Sequence, residues 1–292
     1  MTGSMTGTQA VELSLRGHSV HVGHLHAEGP RTPVVCVHSS GMSGRQWRRL
    51  AKTLARRGHP VWLPDLHGYG DSTPWLGRER FETSMDVEII SEILDRVGRP
   101  AHLVGHSYGG RIAILSAIAR PSDVESLGLY EPVSYGVLHS TGDEIGMREL
   151  DEYDADGRFL DETFGGTEAW LERFVDYWSG EGMWASMPDE ARAGFKRSAR
   201  KVFEEVRDTC LDTVTHEQVR ATEIPTLTMS GGRSRLSARR VCEVLELSCA
   251  NVRHVCIEDG IHMSPLISPA EVNEHLISHI EDAESIRSAP PP

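Results

Sequence analysis

"LVGHSYGG", residues 103–110, decides how the rest of the chain is read. The apolar run "AHLVGH" (101–106) has the character of a buried strand, and "YGGRIAILSAIARP" (108–121) that of a helix stopped at a proline. Gly105-His106-Ser107-Tyr108-Gly109 therefore lies on a strand-to-helix reversal and matches the pattern G-x-S-x-G. So tight a reversal crowds the backbone. Glycines on both sides give it room and leave the serine hydroxyl projecting above a sheet. The helix behind Ser107 turns partly positive amides toward any oxyanion formed there. The plainer account, a turn serine that caps a helix, needs none of this context.

Outward from this point, short apolar runs alternate with helical patterns. "PVVCVH" (33–38), "VWLPD" (61–65) and "SLGLYEP" (126–132) predict strands, as do "PTLTMSGG" and "NVRHVCIE" (251–258). "QWRRLAKTLARRG" (46–58), "SMDVEIISEILDRVG" (84–98), a stretch near 236–248 and "AEVNEHLISHIEDA" after Pro269 predict helices. Such alternation calls for a mostly parallel sheet covered on both faces. "VELSLRGHSVHVGHLHAEG" alternates like an antiparallel hairpin at the sheet edge.

Residues 136–215 differ in composition. They carry 19 acids against 9 bases, a net of −10 out of the chain's −13, with five of its six Phe and three of its six Trp. The stretch is rich in helix formers and predicts an inserted helical cap with a solvated acidic face and an aromatic core. Its aromatic underside could also line a pocket for an apolar ligand. The expected organisation is a core in two parts, 1–135 and 216–285, the 136–215 cap, and a disordered tail at 286–292 ("IRSAPPP").

Composition excludes some partners. A chain of 292 residues with 39% hydrophobic content can bury a substantial core, and its charge of −13 opposes binding to nucleic acid. No apolar stretch is long enough for a membrane span, and the N-terminal residues lack a signal peptide's basic and apolar regions. Five cysteines without a C-x-x-C pair are expected to be free thiols in a reducing cytoplasm, with no metal and no cofactor. A monomer or homodimer is expected.

The motif set resembles the α/β-hydrolase superfamily over nearly the whole chain. "VCVHSSGMSGRQW" resembles that family's H-G-x loop after the third strand, with Ser39 in the usual glycine position, and "LPDLHGYGDS" (63–72) resembles its P-D-x-x-G-x-G-x-S loop. The resemblance implies an eight-stranded, mostly parallel sheet and an oxyanion hole made by the Ser40 and Tyr108 amides. Asp65 and His67 are expected to be structural or pocket-lining. "DGIHMSPLISPAEVN" (259–273) resembles the G-x-x-H loop before the last helix and makes His262 the base that a serine nucleophile needs. His38, beside the oxyanion loop, and the cap residues Trp178 and Trp184 are candidate substrate contacts.

The acid departs from the usual pattern. Past "LTMSGG" the positions where an aspartate usually stands hold Ser234 and Arg235, and neither can offset an imidazolium charge. These two are expected to serve helix capping and surface charge. Some members of the superfamily carry the acid after the sixth strand instead. Glu131 stands there, 24 residues beyond Ser107, and is the candidate acid, with Asp259 and Glu258 as rivals. Lys196 and Lys201, in the cap, are expected to be helical surface charge.

Serine rather than aspartate at the reversal points to acyl transfer through an acyl-enzyme. The expected activity is hydrolysis of a carboxylic ester, lactone or thioester with a largely apolar acyl part. Two alternatives share the same parts: a lyase, cyclase or acyltransferase of secondary metabolism, and a ligand-binding receptor on a hydrolase fold.

Overall fold

The computed structural model describes residues 8–288 except 28, 30, 78 and 79. Two alternating segments, β1 (Thr8–Leu15) and β2 (His18–Leu25), pair antiparallel across a turn in which Arg16 and Gly17 take φ of 48° and 80°. The later strands are β3 (Val34–Val37), β4 (Val61–Pro64), β5 (Ala101–His106), β6 (Val124–Tyr130), β7 (Thr226–Gly231) and β8 (Val252–Ile257). They form one eight-stranded sheet in the order β1-β2-β4-β3-β5-β6-β7-β8. From β4 to β8 every pairing is parallel, while β2 meets β4 antiparallel.

Helices α1 (Arg48–Arg56), α2 (Thr83–Val97) and α3 (Tyr108–Ala119) connect the first parallel strands. Between β6 and β7 lie α4 (Gly136–Thr141), α5 (Glu144–Tyr153), α6 (Glu168–Ser179), α7 (Met183–Ser186), α8 (Asp189–Cys210) and α9 (His216–Ala221). Helices α10 (Leu236–Ser248), α11 (Ser264–Ile267) and α12 (Pro269–Ser288) complete the chain. Successive strand residues point to opposite faces, so β3 serves two cores. Val34 and Cys36 pack with Leu50 and Leu54 of α1 and Leu276 and Ile280 of α12. Val35 and Val37 pack with Ile89 of α2, Ile112 of α3 and Val241 of α10. Strand order reverses between β3 and β5, and a parallel sheet opens a crevice beyond the carboxyl ends of its strands at such a point.

The helices between β6 and β7 have the expected aromatic core. Trp170 is fully buried and stacked between Phe159 and Phe174, with ring centroids 5.2 and 5.3 Å away. Their acidic residues differ from expectation. On α8, Glu204 accepts hydrogen bonds from Trp75 Nε1 (3.1 Å) and the Phe81 amide (3.0 Å), and Asp208 accepts one from the Thr83 amide (3.1 Å). These carboxylates face the α/β core because they serve N–H groups of the loop entering α2 and of its first turn. Lys201 is likewise not surface charge but wholly buried. At the chain end, α12 runs to Ser288, three residues into the segment expected to be a loose tail; 289–292 lie outside the described residues.

Two predictions concern folding. A Cβ added at Gly109 would lie 2.4 Å from the carbonyl oxygens of Val37 and His38, backbone that cannot yield. Gly109→Ala is expected to destabilise the fold by about 3 kcal/mol, read as a fall in the urea midpoint. The second concerns His279 on α12, where burial, with Arg253 adding, pushes the imidazole down to about 4. The unfolded chain therefore binds more protons than the folded one between about pH 6.5 and 4. This contribution to stability is complete above that window and is lost as pH falls through it. By pH 5 the loss amounts to about 2 kcal/mol. His279→Asn should narrow the difference in urea midpoint between pH 7 and pH 5.

Candidate active site

Ser107 occupies the reversal from β5 to α3 with φ 55° and ψ −120°, a left-handed backbone that a serine adopts only under constraint. Its amide donates to the Tyr130 carbonyl (2.9 Å), and its carbonyl accepts from the Gly110 (2.9 Å) and Arg111 (3.1 Å) amides. The side chain is thereby left free to face the crevice. Tyr108 is the first residue of α3, where helical N–H groups have no intrahelical acceptor. Ser40 follows β3, and both Ser40 and Tyr108 line a cavity that also contains Ser107.

Glu131 leaves β6 at φ 44°, and its side chain is fully buried. One carboxylate oxygen accepts the Nδ1–H of His262 at 2.6 Å. The other accepts the amide of Gly231, the last residue of β7, at 2.7 Å. With Nδ1 carrying the proton, His262 Nε2 is left as an acceptor on the ring edge opposite Glu131. His262 and Ser107 line one cavity. Of the sequence-predicted residues, Glu131 after β6 and His262 after β8 are thus hydrogen-bonded, and Ser107 after β5 lines the same cavity as His262. The rival Asp259 is exposed and ion-paired with Arg233, and Glu258 is exposed.

Residues that the sequence did not single out hold these parts. His106 Nε2–H donates to the His262 carbonyl at 2.8 Å, and its Nδ1 accepts from Gln46 Nε2–H at 3.1 Å. The Gln46 carbonyl oxygen in turn accepts the Ser39 amide and hydroxyl, both at 3.1 Å. Burial, reinforced by the neighbouring His262, pushes the His106 imidazole well below its ordinary value and keeps it neutral. The loop after β3, the end of β5 and the loop after β8 are therefore joined by one hydrogen-bonded chain. Gln46 carries no motif, and Gly231 contributes only backbone, so neither leaves a signal in a single sequence.

Other expectations divide. Trp178 stacks on the His262 ring with centroids 4.0 Å apart and planes 27° apart, and it lines both cavities at the site. Trp184 is instead packed between α7 and α8 against Phe195 and lines neither cavity. His38 is also withdrawn from substrate. It is fully buried, with Nδ1–H on the Ser39 carbonyl (2.8 Å) and Nε2 accepting the Leu66 amide (3.0 Å). Asp65 is structural, accepting the amides of Gly44 (2.7 Å) and Asp71 (2.8 Å). Ser234 caps no helix. The N-terminus of α10 is served by Glu149 of α5, which accepts the Ser237 amide at 2.7 Å. Arg235 donates to the Tyr177 carbonyl at 2.8 Å and lies over the Tyr177 ring, 4.4 Å from its centroid.

Two cavities meet at Ser40, Ser107, Phe174 and Trp178. One, of about 310 Å³, contains Tyr108 and is walled by Val133, Tyr135, Phe159 and Tyr177. The other, of about 230 Å³, contains His262 and is walled almost wholly by apolar groups, among them Met42, Met187, Phe195 and Ile261. Among the described residues, no helix is long and apolar enough to cross a membrane.

Comparison with known proteins agrees with this fold. The chain matches the α/β hydrolase family over residues 34–275. Lipase LipV of Mycobacterium tuberculosis (strain ATCC 25618 / H37Rv) is 38% identical over 112 residues, which make up 37% of this chain and 41% of that lipase. The match thus spans well under half of that relative's length. Among solved structures, a membrane phospholipase A superposes with a TM-score of 0.73 at 20% identity, covering 97% of this chain and 88% of that one. An esterase from Exiguobacterium antarcticum gives 0.73 at 18% identity, covering 94% and 100%. A hydrolase from Pseudomonas aeruginosa PA01 gives 0.70 at 21% identity, covering 93% and 98%. At these identities the structural likeness speaks for the fold alone.

The Glu131–His262 contact generates its own prediction. Glu131→Gln keeps the shape but puts an amide where Nδ1–H needs a strong acceptor. The low-field proton resonance expected for His262 Nδ1–H should vanish while the far-ultraviolet circular dichroism is retained.

Proposed function

The chain belongs to the α/β hydrolase family, and from that premise we propose that it is a serine hydrolase cleaving a carboxylic ester, lactone or thioester with apolar groups on both sides of the scissile bond. The observation that carries this reading is the 2.6 Å hydrogen bond from His262 to the buried Glu131 carboxylate. It orients an imidazole whose free nitrogen belongs to the same cavity as a strained, outward-facing serine.

In this mechanism Ser107 Oγ attacks the substrate carbonyl carbon while His262 Nε2 takes the hydroxyl proton. The carbonyl oxygen becomes an oxyanion and accepts hydrogen bonds from the Ser40 and Tyr108 amides. The bond to the leaving oxygen or sulfur then breaks, and His262 Nε2–H returns its proton to that atom. A water molecule deacylates Ser107 by the same steps in reverse. Throughout, Glu131 holds the tautomer and offsets the transient imidazolium. The face of Trp178 adds a cation–π attraction to that charged ring.

The two cavities divide the substrate. His262 must reach the leaving atom, so the leaving group enters the 230 Å³ cavity that His262 lines. The acyl part then takes the 310 Å³ cavity beside Tyr108. Both walls are largely apolar, which supports hydrocarbon or aryl groups on each side and no charge next to the carbonyl.

Three measurements test this. A fluorophosphonate probe should label the parent enzyme and leave Ser107→Ala unlabelled. An unlabelled parent would point instead to a ligand receptor on the same fold. Glu131→Gln should lower kcat by roughly 10³–10⁴-fold, as expected when the imidazole loses its anionic partner. Against a series of straight-chain acyl esters, kcat/KM should rise by up to about fourfold per added methylene, following about 0.8 kcal/mol per buried CH₂, until the acyl cavity is full. A flat series would remove the apolar acyl cavity from the mechanism.

A further inference from the structure

Beneath the oxyanion loop lies a cluster of buried charge that the proposed mechanism does not use. Lys201, Glu205 and Asp86 are each fully buried. Lys201 Nζ lies 2.9 Å from Asp86 Oδ2 and 2.5 Å from Glu205 Oε1. Lys201 and Glu205 come from α8 of the cap, whereas Asp86 comes from α2 of the α/β core. The ammonium also sits 3.7 Å from the centroid of the Phe81 ring and 5.1 and 5.3 Å from those of Tyr69 and Tyr108.

The remaining acceptor capacity of the two carboxylates leads to the candidate oxyanion hole. The Tyr108 hydroxyl donates to Asp86 Oδ2 at 3.0 Å, and His67 supplies its backbone amide (3.1 Å) and ring Nδ1–H (2.9 Å) to Asp86 Oδ1. Glu205 Oε2 accepts the Tyr69 hydroxyl at 2.8 Å. The Ser40 side chain also pulls the Glu205 carboxyl down, and the Gly41 backbone pulls the Tyr69 hydroxyl down. Phe195, also on α8, presses directly on this loop. A Cβ at Gly41, which has φ +74°, would lie 2.3 Å from the Phe195 ring. Tyr108, one of the two residues whose amides would bind the oxyanion, is thus tied through its hydroxyl to Asp86, and the loop that carries Ser40 packs on α8, which supplies the ammonium that Asp86 and Glu205 share.

The charges are strongly opposed by their surroundings. Burial pushes the Glu205 carboxyl up and Asp86 adds to this, while Lys201 pulls it down. For Asp86 burial acts the same way, but Lys201 and His67 outweigh it and hold the carboxyl below the usual range. Well-packed apolar side chains would fill such a space at least as stably as an ion cluster. What an apolar plug lacks is direction. The hydrogen bond to the fixed Asp86 carboxylate sets where the Tyr108 side chain lies, the contact of Phe195 with Gly41 sets where the adjacent Ser40 lies, and with them the orientation of the two backbone amides.

We infer that Lys201 and Glu205 are positioning residues for the oxyanion hole, so that the seating of the cap on the core sets the geometry of the Ser40 and Tyr108 amides. The inference rests on the serine-hydrolase reading above. It makes α8 a functional part of the catalytic frame as well as a wall of the substrate cavities.

The test compares an aryl trifluoromethyl ketone, which forms a tetrahedral oxyanion on the serine, with the corresponding carbinol, which fills the same space and forms none. Glu205→Gln should lower kcat for an aryl ester by roughly tenfold to a hundredfold, less than outright loss of an oxyanion donor, and weaken the ketone by the same factor. KM, carbinol affinity and the melting temperature should stay close to the parent values. Tyr69→Phe, which removes one donor to Glu205 and no volume, should shift kcat and ketone affinity in the same direction by a smaller factor. It serves where Glu205→Gln folds poorly. Parent-like kcat and ketone affinity in both variants would overturn the inference, as would carbinol and ketone affinities that fall together. If the parent neither turns over an ester nor binds the ketone, the hydrolase reading falls and takes this inference with it. If the parent does both while the variants match it, only the positioning role is lost.

Discussion

The Glu131 carboxylate has no exposed surface, and a buried carboxylate is tolerable only when its oxygens are satisfied. Its two partners are the Gly231 amide at the end of β7 and the His262 imidazole in the loop after β8. One side chain at the end of β6 thereby ties together the ends of three neighbouring strands. Its position requires φ 44°, and Ser107 at the end of the neighbouring strand requires φ 55°; each costs of order 1 kcal/mol or more for a non-glycine residue. The surrounding sheet sustains both, because β5 and β6 pair in register from His102–Ser126 through His106–Tyr130 and deliver the two residues side by side. The strain belongs to the site and its support to the sheet.

How much of this could be read from the sequence depended on whether a property was local. The reversal at Ser107 was legible because strand, glycines and helix are contiguous. Glu131 and His262 were legible because each follows an apolar run whose end fixes where the next side chain sits. Lys201 was not. A lysine on an amphipathic helix has the same local sequence whether it faces solvent or a buried carboxylate, and Asp86 is 115 residues away. The acids of α8 misled for the same reason, since Glu204, Glu205 and Asp208 form a polar face that turned out to be the docking face. Trp178 and Trp184 show the limit at short range. They stand on α6 and α7, and Gly180 and Gly182 between them both take positive φ, so no helical period relates their directions.

The docking of α8 also bears on specificity. A cap held by apolar contact alone could slide over the core at little cost, because dispersion and hydrophobic burial are non-directional. The contacts of Glu204 with Trp75 and Phe81, and of Asp208 with Thr83, are directional and satisfy N–H groups that would otherwise lack partners. Arg111 of α3 extends this seam, donating to Asp212 at 3.2 Å just beyond the end of α8. The cavity walls contributed by α8, Phe195 among them, are therefore placed by polar contacts made on another side of the same helix.

The seventh strand is best understood in these terms. Its end carries no carboxylate, yet it stays beside Glu131, because the Gly231 amide supplies one of the two hydrogen bonds that satisfy that buried side chain. Arg235, near the position an aspartate would occupy, points the other way and clasps Tyr177 of α6 by its carbonyl and its ring. An aspartate here would have no such partner in the cap, and an arginine here could not serve His262. With the carboxylate that holds His262 standing at the end of β6, the turn after β7 is available to anchor α6. That helix carries Trp178, whose ring lies stacked on His262. Glu131 and the anchored α6 thus both bear on the same imidazole.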